Sequence, residues 1–449
     1  MRKFMLLATI LFSCANVWAQ SGYIVDPATK KRVTYEVRGN TIYYSNGRTA
    51  VPSLASTDFK LAYLNATLPP VTSPEVVKEV TLENGKQILL GKLSNVTVKI
   101  KPGTYTGIWL YLEQGSNVKI DATGVTFKNS SMDFGPVQGF ELFGASFIDQ
   151  SYRSIQFNGL SSDVKLHDLS FRNIGDYVIT YKSNTRYDGT DATISKNWTL
   201  ERLSFVNTSQ GFSSDGRYED DGIYGLTRNF KFLNNSVKDC PQIGTVVWVG
   251  AAEDFEISGN TIDHINYVFS DPKAPNGYHW GVFAMYGNGS FHDNKVTNHS
   301  GNLLRAWTAS FGQATKELLI YNNIAFNSHK YGAFEIQLPP WMMEYADKFP
   351  TRLKAANARV YNNTAGQMNT VREWEGQLLD LYNTRGTLYY FNNLGFNLNS
   401  SQRPVTNMIN NMSDVVIYRN DGNVYKPTWE EAVSDTNNLK SKFQGIGAQ

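Results

Sequence analysis

Short bursts of alternating apolar and polar residues recur along most of this chain, the period-two pattern of β-strands with one buried face. Seven bursts align: Val178-Ile179-Thr180-Tyr181-Lys182, Gly222-Ile223-Tyr224-Gly225, Val246-Val247-Trp248-Val249, Val282-Phe283-Ala284-Met285-Tyr286, Leu303-Leu304-Arg305-Ala306-Trp307, Ala333-Phe334-Glu335-Ile336-Gln337 and Leu378-Leu379-Asp380-Leu381-Tyr382. Every second member is apolar (Ile179, Ile223, Val247, Phe283, Leu304, Phe334, Leu379) and the fourth members are apolar or small. Neighbouring side chains of a strand point to opposite faces, so these two columns are predicted to face a core. The third column, Thr180, Tyr224, Trp248, Ala284, Arg305, Glu335 and Asp380, then faces out.

A second signal repeats between the bursts. An Asn closes each unit, at 235, 260, 294, 323, 363, 393 and 420, with gaps of 25 to 40 residues. Irregular gaps fit coils with a fixed corner and elastic surface loops, because lengthening a loop costs little closure entropy. Asn suits the corner, since it tolerates left-handed backbone and its amide can hydrogen-bond along a stack.

On these Asn-cornered units and stacked strands the chain resembles the right-handed parallel β-helix (pectate-lyase-like) superfamily, with Val98-Lys99-Ile100-Lys101-Pro102-Gly103-Thr104-Tyr105 similar to that family's first coil. The resemblance implies an all-β, single-domain right-handed parallel β-helix solenoid over residues 85–425. It is unspecific for function, because lyases, hydrolases, epimerases and adhesins share such a scaffold. Residues 20–84, with an Asn46-Gly47 turn signal, are expected to form an N-terminal cap segment. Residues 426–449 are expected to cap the other end through a short helix opened by Thr428-Trp429-Glu430-Glu431.

Composition narrows the setting. The 449 residues are 41% hydrophobic and 18% charged, with 25 Tyr, 25 Phe and 9 Trp, which excludes intrinsic disorder. Residues 1–19 read as a signal peptide: Arg2 and Lys3 as basic head, an apolar run from Phe4 to Phe12, and Val17-Trp18-Ala19 before Gln20. The chain is therefore expected to be secreted or periplasmic, with lipidation at Cys14 as the alternative reading. No later segment is long and apolar enough for a membrane span. Without Arg2 and Lys3, 40 basic residues face 40 acidic ones, a balance that argues against nucleic acid or an anionic membrane as partner. Cys240 is then the lone cysteine, read as a small buried hydrophobe.

The outward column and its flanks would display Lys182, Tyr224, Trp248, Trp280, Tyr286, Arg305, Trp307, Glu335, Gln337, Asp380 and Tyr382. Flat aromatic faces pack on the C–H faces of sugar rings while carboxylates and Arg take hydroxyls, so a polysaccharide or oligosaccharide groove is expected. The alternative is that the inserts at 184–197, 267–278 and 338–356 merely cover these aromatics. Glu335 and Asp380 fall on adjacent rungs, about 5 Å apart, where one carboxyl's pKa rises and the pair can serve as acid and base or nucleophile. The opposing reading is an Arg305–Glu335 ion pair with Asp380 solvated. His299 and His329 each precede a rung residue by six positions, with His279 near the same line, so the spacing predicts a histidine stack able to carry protons. Asp215, Asp220 and Asp221 form the densest acidic cluster, a turn that could hold Ca²⁺, although the EF-hand spacing is missing. Asp220-Asp221 resembles the double Asp of polygalacturonase-like hydrolases, but the following Gly-His-Gly and Arg-Ile-Lys signatures are absent, so that activity is not carried over.

The leading expectation is a secreted glycoside hydrolase using Glu335 and Asp380, without a cofactor. The alternatives are a polysaccharide lyase using Arg305 with His299 or His329, and a non-catalytic glycan-binding solenoid. Glycan, linkage, mode of action and oligomeric state stay open.

Overall fold

The computed structural model describes residues 21–25, 32–38, 41–45, 49–50, 76–266, 281–312, 314–372, 375–401, 404–412 and 416–449. The expected leader, Cys14, the Asn46-Gly47 turn, His279 and Trp280 lie outside the described residues. The chain divides into two units, Met1–Glu75 and Val76–Gln449. In the first, strands Ser21–Val25, Arg32–Arg38, Thr41–Tyr44 and Thr49–Ala50 pair antiparallel in chain order.

The second unit begins with the strand Val76–Val80 rather than at residue 85. Thirty strands join one sheet, in which almost every pairing among the described residues is parallel, as between Phe283 and Leu304 or Phe334 and Leu379. The inner column reads Ile155, Ile179, Phe212, Val247, Phe283, Leu304, Phe334, Leu379 and Ile409 in unbroken register. All but Ile409 are fully buried, and each such side chain contributes about 1.5–3 kcal/mol. Phe127, Phe147, Phe171 and Phe205 stack at 5.2 Å along another core line.

One of the seven aligned bursts is misplaced. Ser213, not Tyr224, pairs between Thr180 and Trp248. Gly222–Tyr224 is instead one arm of an antiparallel hairpin with Arg217–Glu219, an insertion whose alternation imitates a rung. Ile223 accordingly packs into a separate outer cluster with Leu226, Phe311, Leu338, Met342 and Tyr345.

The Asn corner divides into two roles. Asn234, Asp293, Asn322, Asn362 and Asn392 hold left-handed φ of 53 to 55°, with Gly259 and Gly422 taking the same place in their coils. The following Asn235, Asn260, Asn294, Asn323, Asn363, Asn393 and Asn423 form an amide ladder, each Nδ2 donating to the next Oδ1 at 2.8–3.1 Å. Asn423 therefore closes the ladder, where the repeat pointed to Asn420.

The insert at 338–356 folds into a helix, α1 (Pro340–Lys348), with Pro at its first position. Its Met342, Tyr345 and Ala346 pack into the outer cluster, and Lys348 reaches Asp220 at 2.8 Å. Beyond the last coil, Thr428 caps the four-residue helix α2 (Trp429–Ala432) without the expected side-chain hydrogen bond. Ala432, Val433 and Leu439 pack on Leu394 and Phe396, and the Ala448 N–H donates to Thr364 Oγ1 at 2.9 Å. This tail therefore lies along the side of the coils.

Candidate functional site

The outward column is a physical ladder. Trp248, Ala284, Arg305, Glu335, Asp380 and Asn410 occupy consecutive rungs, and Tyr286, Trp307, Gln337, Tyr382 and Met412 form a parallel row two residues on. Rung spacing is about 4.8 Å.

Glu335 is 1% exposed and is fixed from two sides. Arg305 donates Nε–H to its Oε1 at 2.8 Å, and Gln337 donates its amide N–H to the same oxygen. The ion pair expected as the opposing reading is thus present. Asp380 is equally buried, not solvated. Burial, then the charges of Glu375 and Glu335, push its carboxyl well above the usual range, while Asn410 on the next rung acts in the opposite sense. Room for this carboxyl depends on Gly332, where a Cβ would stand 2.8 Å from Asp380 Oδ2 and 2.5 Å from the Gln377 carbonyl oxygen. Tyr382 donates its phenol to Glu375.

The groups nearer solvent differ from this sealed pair. The Arg305 side chain is 24% exposed and its guanidinium lies 5.9 Å from the Trp307 ring. Tyr286 stacks on Trp307 with ring centroids 3.7 Å apart and planes 3° from parallel, and it meets Trp248 edge-on at 6.4 Å. Burial raises the Tyr286 phenol above its ordinary value, with Arg305 pulling it down and Glu335 pushing it up. Tyr286 therefore keeps its proton at neutral pH. Trp341, projecting from α1, meets Trp307 at 5.4 Å. The insert forms a wall beside the aromatic row and covers part of it.

The histidine stack does not form. His299 pairs with Ser328, because one extra residue separates Ser328 from Phe334 compared with the preceding coil. His329 falls one position later, half-buried, and donates its backbone N–H to the His299 carbonyl at 2.7 Å. The His299 ring is 2% exposed, and burial lowers its pKa to about 4. It is a neutral interior side chain.

The acidic cluster also separates. Asp220 pairs with Lys348, whereas Asp221 accepts from Tyr224 at 2.7 Å and faces Arg186 at 3.7 Å. Asp215 turns toward Lys182 on a different part of the face. No group of three or more His, Cys, Asp or Glu able to hold a metal ion occurs among the described residues. Cys240 is buried and unpaired with another cysteine, its thiol pushed up by burial.

No family model matches the chain, and no curated protein matches it. Among solved structures it is similar to the alginate lyase AlyF-OU02 in complex with G6, with TM-score 0.39, 12% identity, and 82% of this chain and 87% of that chain covered. It is also similar to the PL6 family polysaccharide lyase Pedsa3628 from Pseudopedobacter saltans, with TM-score 0.37, 10% identity and 82% and 98% covered.

Sequence reasoning brought Trp248, Tyr286, Arg305, Trp307, Glu335, Gln337, Asp380 and Tyr382 to one face and missed Gly332, Trp341, Glu375 and Asn410. Asn410 was findable as the next rung, in Ile409-Asn410-Asn411-Met412. Glu375 and Gly332 precede their strands, where period-two alternation carries no information.

Proposed function

We propose that this chain is a polysaccharide lyase that cleaves a uronate-containing glycan by β-elimination on the Arg305 face. The carrying observation is the contrast in burial: Glu335 and Asp380 are sealed, whereas Arg305 and Tyr286 line the accessible surface. A hydrolase needs two carboxyls in contact with the scissile bond. An elimination needs a cation to neutralise the substrate carboxylate, a base for the C5 proton and an acid for the leaving oxygen at C4. Arg305, held in place by Glu335, suits the first role. Tyr286, protonated beside Arg305, suits the last. His329 is the candidate base, and His299, neutral inside the core, is not. Trp248, Trp307 and Tyr382 would support sugar rings. The scaffold is read as a right-handed parallel β-helix, the hand of about 98% of parallel crossovers.

One observation favours a second reading, a glycoside hydrolase: burial and the nearby Glu375 and Glu335 push the Asp380 carboxyl well above its usual range, the direction a general acid needs. The two separate in a digest of uronate-containing and neutral glycans. Ultraviolet absorbance from an unsaturated uronate is expected from the uronate glycans alone. New reducing ends without that absorbance would assign the hydrolase, and no cleavage of any glycan would leave a binding solenoid.

A further inference from the structure

A cavity of about 250 Å³ opens on the same face, bordered by Arg153, Tyr177, Thr180, Lys182, Asp215 and Trp248. Thr180 and Trp248 belong to the outward column that carries Arg305, with Ser213 between them. By rung spacing the cavity begins about 10 Å from Arg305, at Trp248, and extends to about 19 Å, at Thr180. A glycan lying along the ladder would cross it several sugar residues from the reacting one.

Five polar atoms of the residues lining this cavity are buried and make no hydrogen bond among the described residues: Arg153 Nε, Thr180 Oγ1, Tyr181 Oη, Asp215 Oδ1 and Trp248 Nε1. Buried polar groups in folded proteins are nearly always paired, so these orphans around one opening mark a surface built to receive polar atoms from elsewhere. Most of what is offered is donor: the Arg153 N–H, the Thr180 hydroxyl and the ammonium of exposed Lys182. Asp215 is raised by burial, which favours the proton on it and lessens its repulsion of an anion, although Lys182 opposes the shift. Asp176 on the rim is the remaining acid. Arg153 is held by its terminal N–H to Gln156 and by its guanidinium 4.7 Å from the Tyr152 ring. The indole of Trp248 and the exposed ring of Tyr177 supply apolar faces of the kind sugar rings pack against.

We infer that this cavity is a distal subsite that binds a carboxylate-bearing sugar of the same chain, with Lys182, Arg153 and Thr180 taking the carboxylate and hydroxyls. The inference rests on the lyase reading for its substrate class, but its test needs no turnover. The Trp248 indole N–H resonance, assigned with Trp248→Phe, is followed while galacturonate, glucuronate or mannuronate trimers are added, and then their neutral counterparts. At least one uronate trimer is expected to shift it saturably and the neutral trimers to leave it in place. Lys182→Met is expected to weaken that binding at least tenfold. Thr180→Val, which preserves volume, is expected to weaken it several-fold.

A resonance unmoved by all three uronate trimers overturns the subsite. Equal shifts from neutral trimers, or unchanged affinity in Lys182→Met, overturn its carboxylate chemistry. If uronates bind here while no glycan yields unsaturated product, the subsite stands and the lyase reading falls. If unsaturated product forms while the resonance never moves, the lyase reading stands and the subsite falls.

Discussion

Arg305 reaches across one rung to Glu335, Nε to Oε1 at 2.8 Å, and so ties a partly exposed cation to a carboxylate that is almost wholly buried. Removing the cation takes a charge partner from a carboxylate in the interior. Arg305→Ala is expected to lose about 3–5 kcal/mol of stability, read by urea unfolding, as when one partner of a buried pair is deleted. It should also lower kcat/KM at least a hundredfold on any uronate glycan that the wild type cleaves. Arg305→Lys should not restore it, because an ammonium cannot reproduce the planar donor fork. Wild-type rates in either variant would detach Arg305 from the reaction.

Asp380 tests the opposite electrostatic state. Because burial pushes its carboxyl well above the usual range, which favours the neutral form, Asp380→Asn puts a neutral group of the same shape in its place. The expected change in unfolding free energy is within about 1 kcal/mol, with cleavage retained. An abolished reaction in a folded Asp380→Asn protein would favour the acid of a hydrolase.

His299 gives the fold a pH dependence with a definite sign. Its folded pKa, about 4, lies below its ordinary 6.5, so on acidification the unfolded chain takes up the proton first. Its contribution is present above pH 6.5 and is lost as pH falls toward 4, about 3 kcal/mol in all. Asp380, raised rather than lowered, acts in the reverse direction, so the comparison should be made between wild type and His299→Leu. Melting temperatures from pH 7 to 4.5 should fall more steeply for the wild type. Parallel curves would mean that His299 is not the neutral interior group described here.

The amide ladder makes a stability prediction that separates two asparagines of one repeat. Asn323 accepts from the side chain and backbone of Asn294, at 3.0 and 3.1 Å, and donates to Asn363 at 2.9 Å, all in the interior. Asn323→Ala should cost about 2–4 kcal/mol, since it strands partners on both sides. The Asn420 side chain accepts from Asn423 at the surface, at 3.1 Å, and Asn420→Ala should cost under about 1 kcal/mol. Equal losses would dissolve the distinction between ladder and neighbour.

Much of the fold was legible because its determinants are local. The columns Val247–Phe283–Leu304–Phe334–Leu379 and Trp248–Ala284–Arg305–Glu335–Asp380 follow from period-two alternation alone, since a one-residue slip would turn every side chain to the wrong face. What failed were places where loops change the count. The Tyr224 hairpin copies a strand's alternation without being a rung, and a single added residue after Ser328 moves His329 out of line with His299. Burial of the outward face was illegible for a different reason. Whether Glu335 and Asp380 face water depends on neighbouring rungs and on distant inserts, and no pattern within their own strands records it.

The central claim is elimination at the Arg305 face, and the mass of the products from one defined oligouronate tests it most directly. Elimination divides the substrate without adding water, so the fragment masses should sum to that of the substrate, with the unsaturated fragment lighter by one water than its hydrolytic counterpart. Tyr286→Phe, which removes the phenol and keeps the stacked ring, should suppress both fragments together. Fragments summing to the substrate plus one water, or a fully active Tyr286→Phe, would contradict the account.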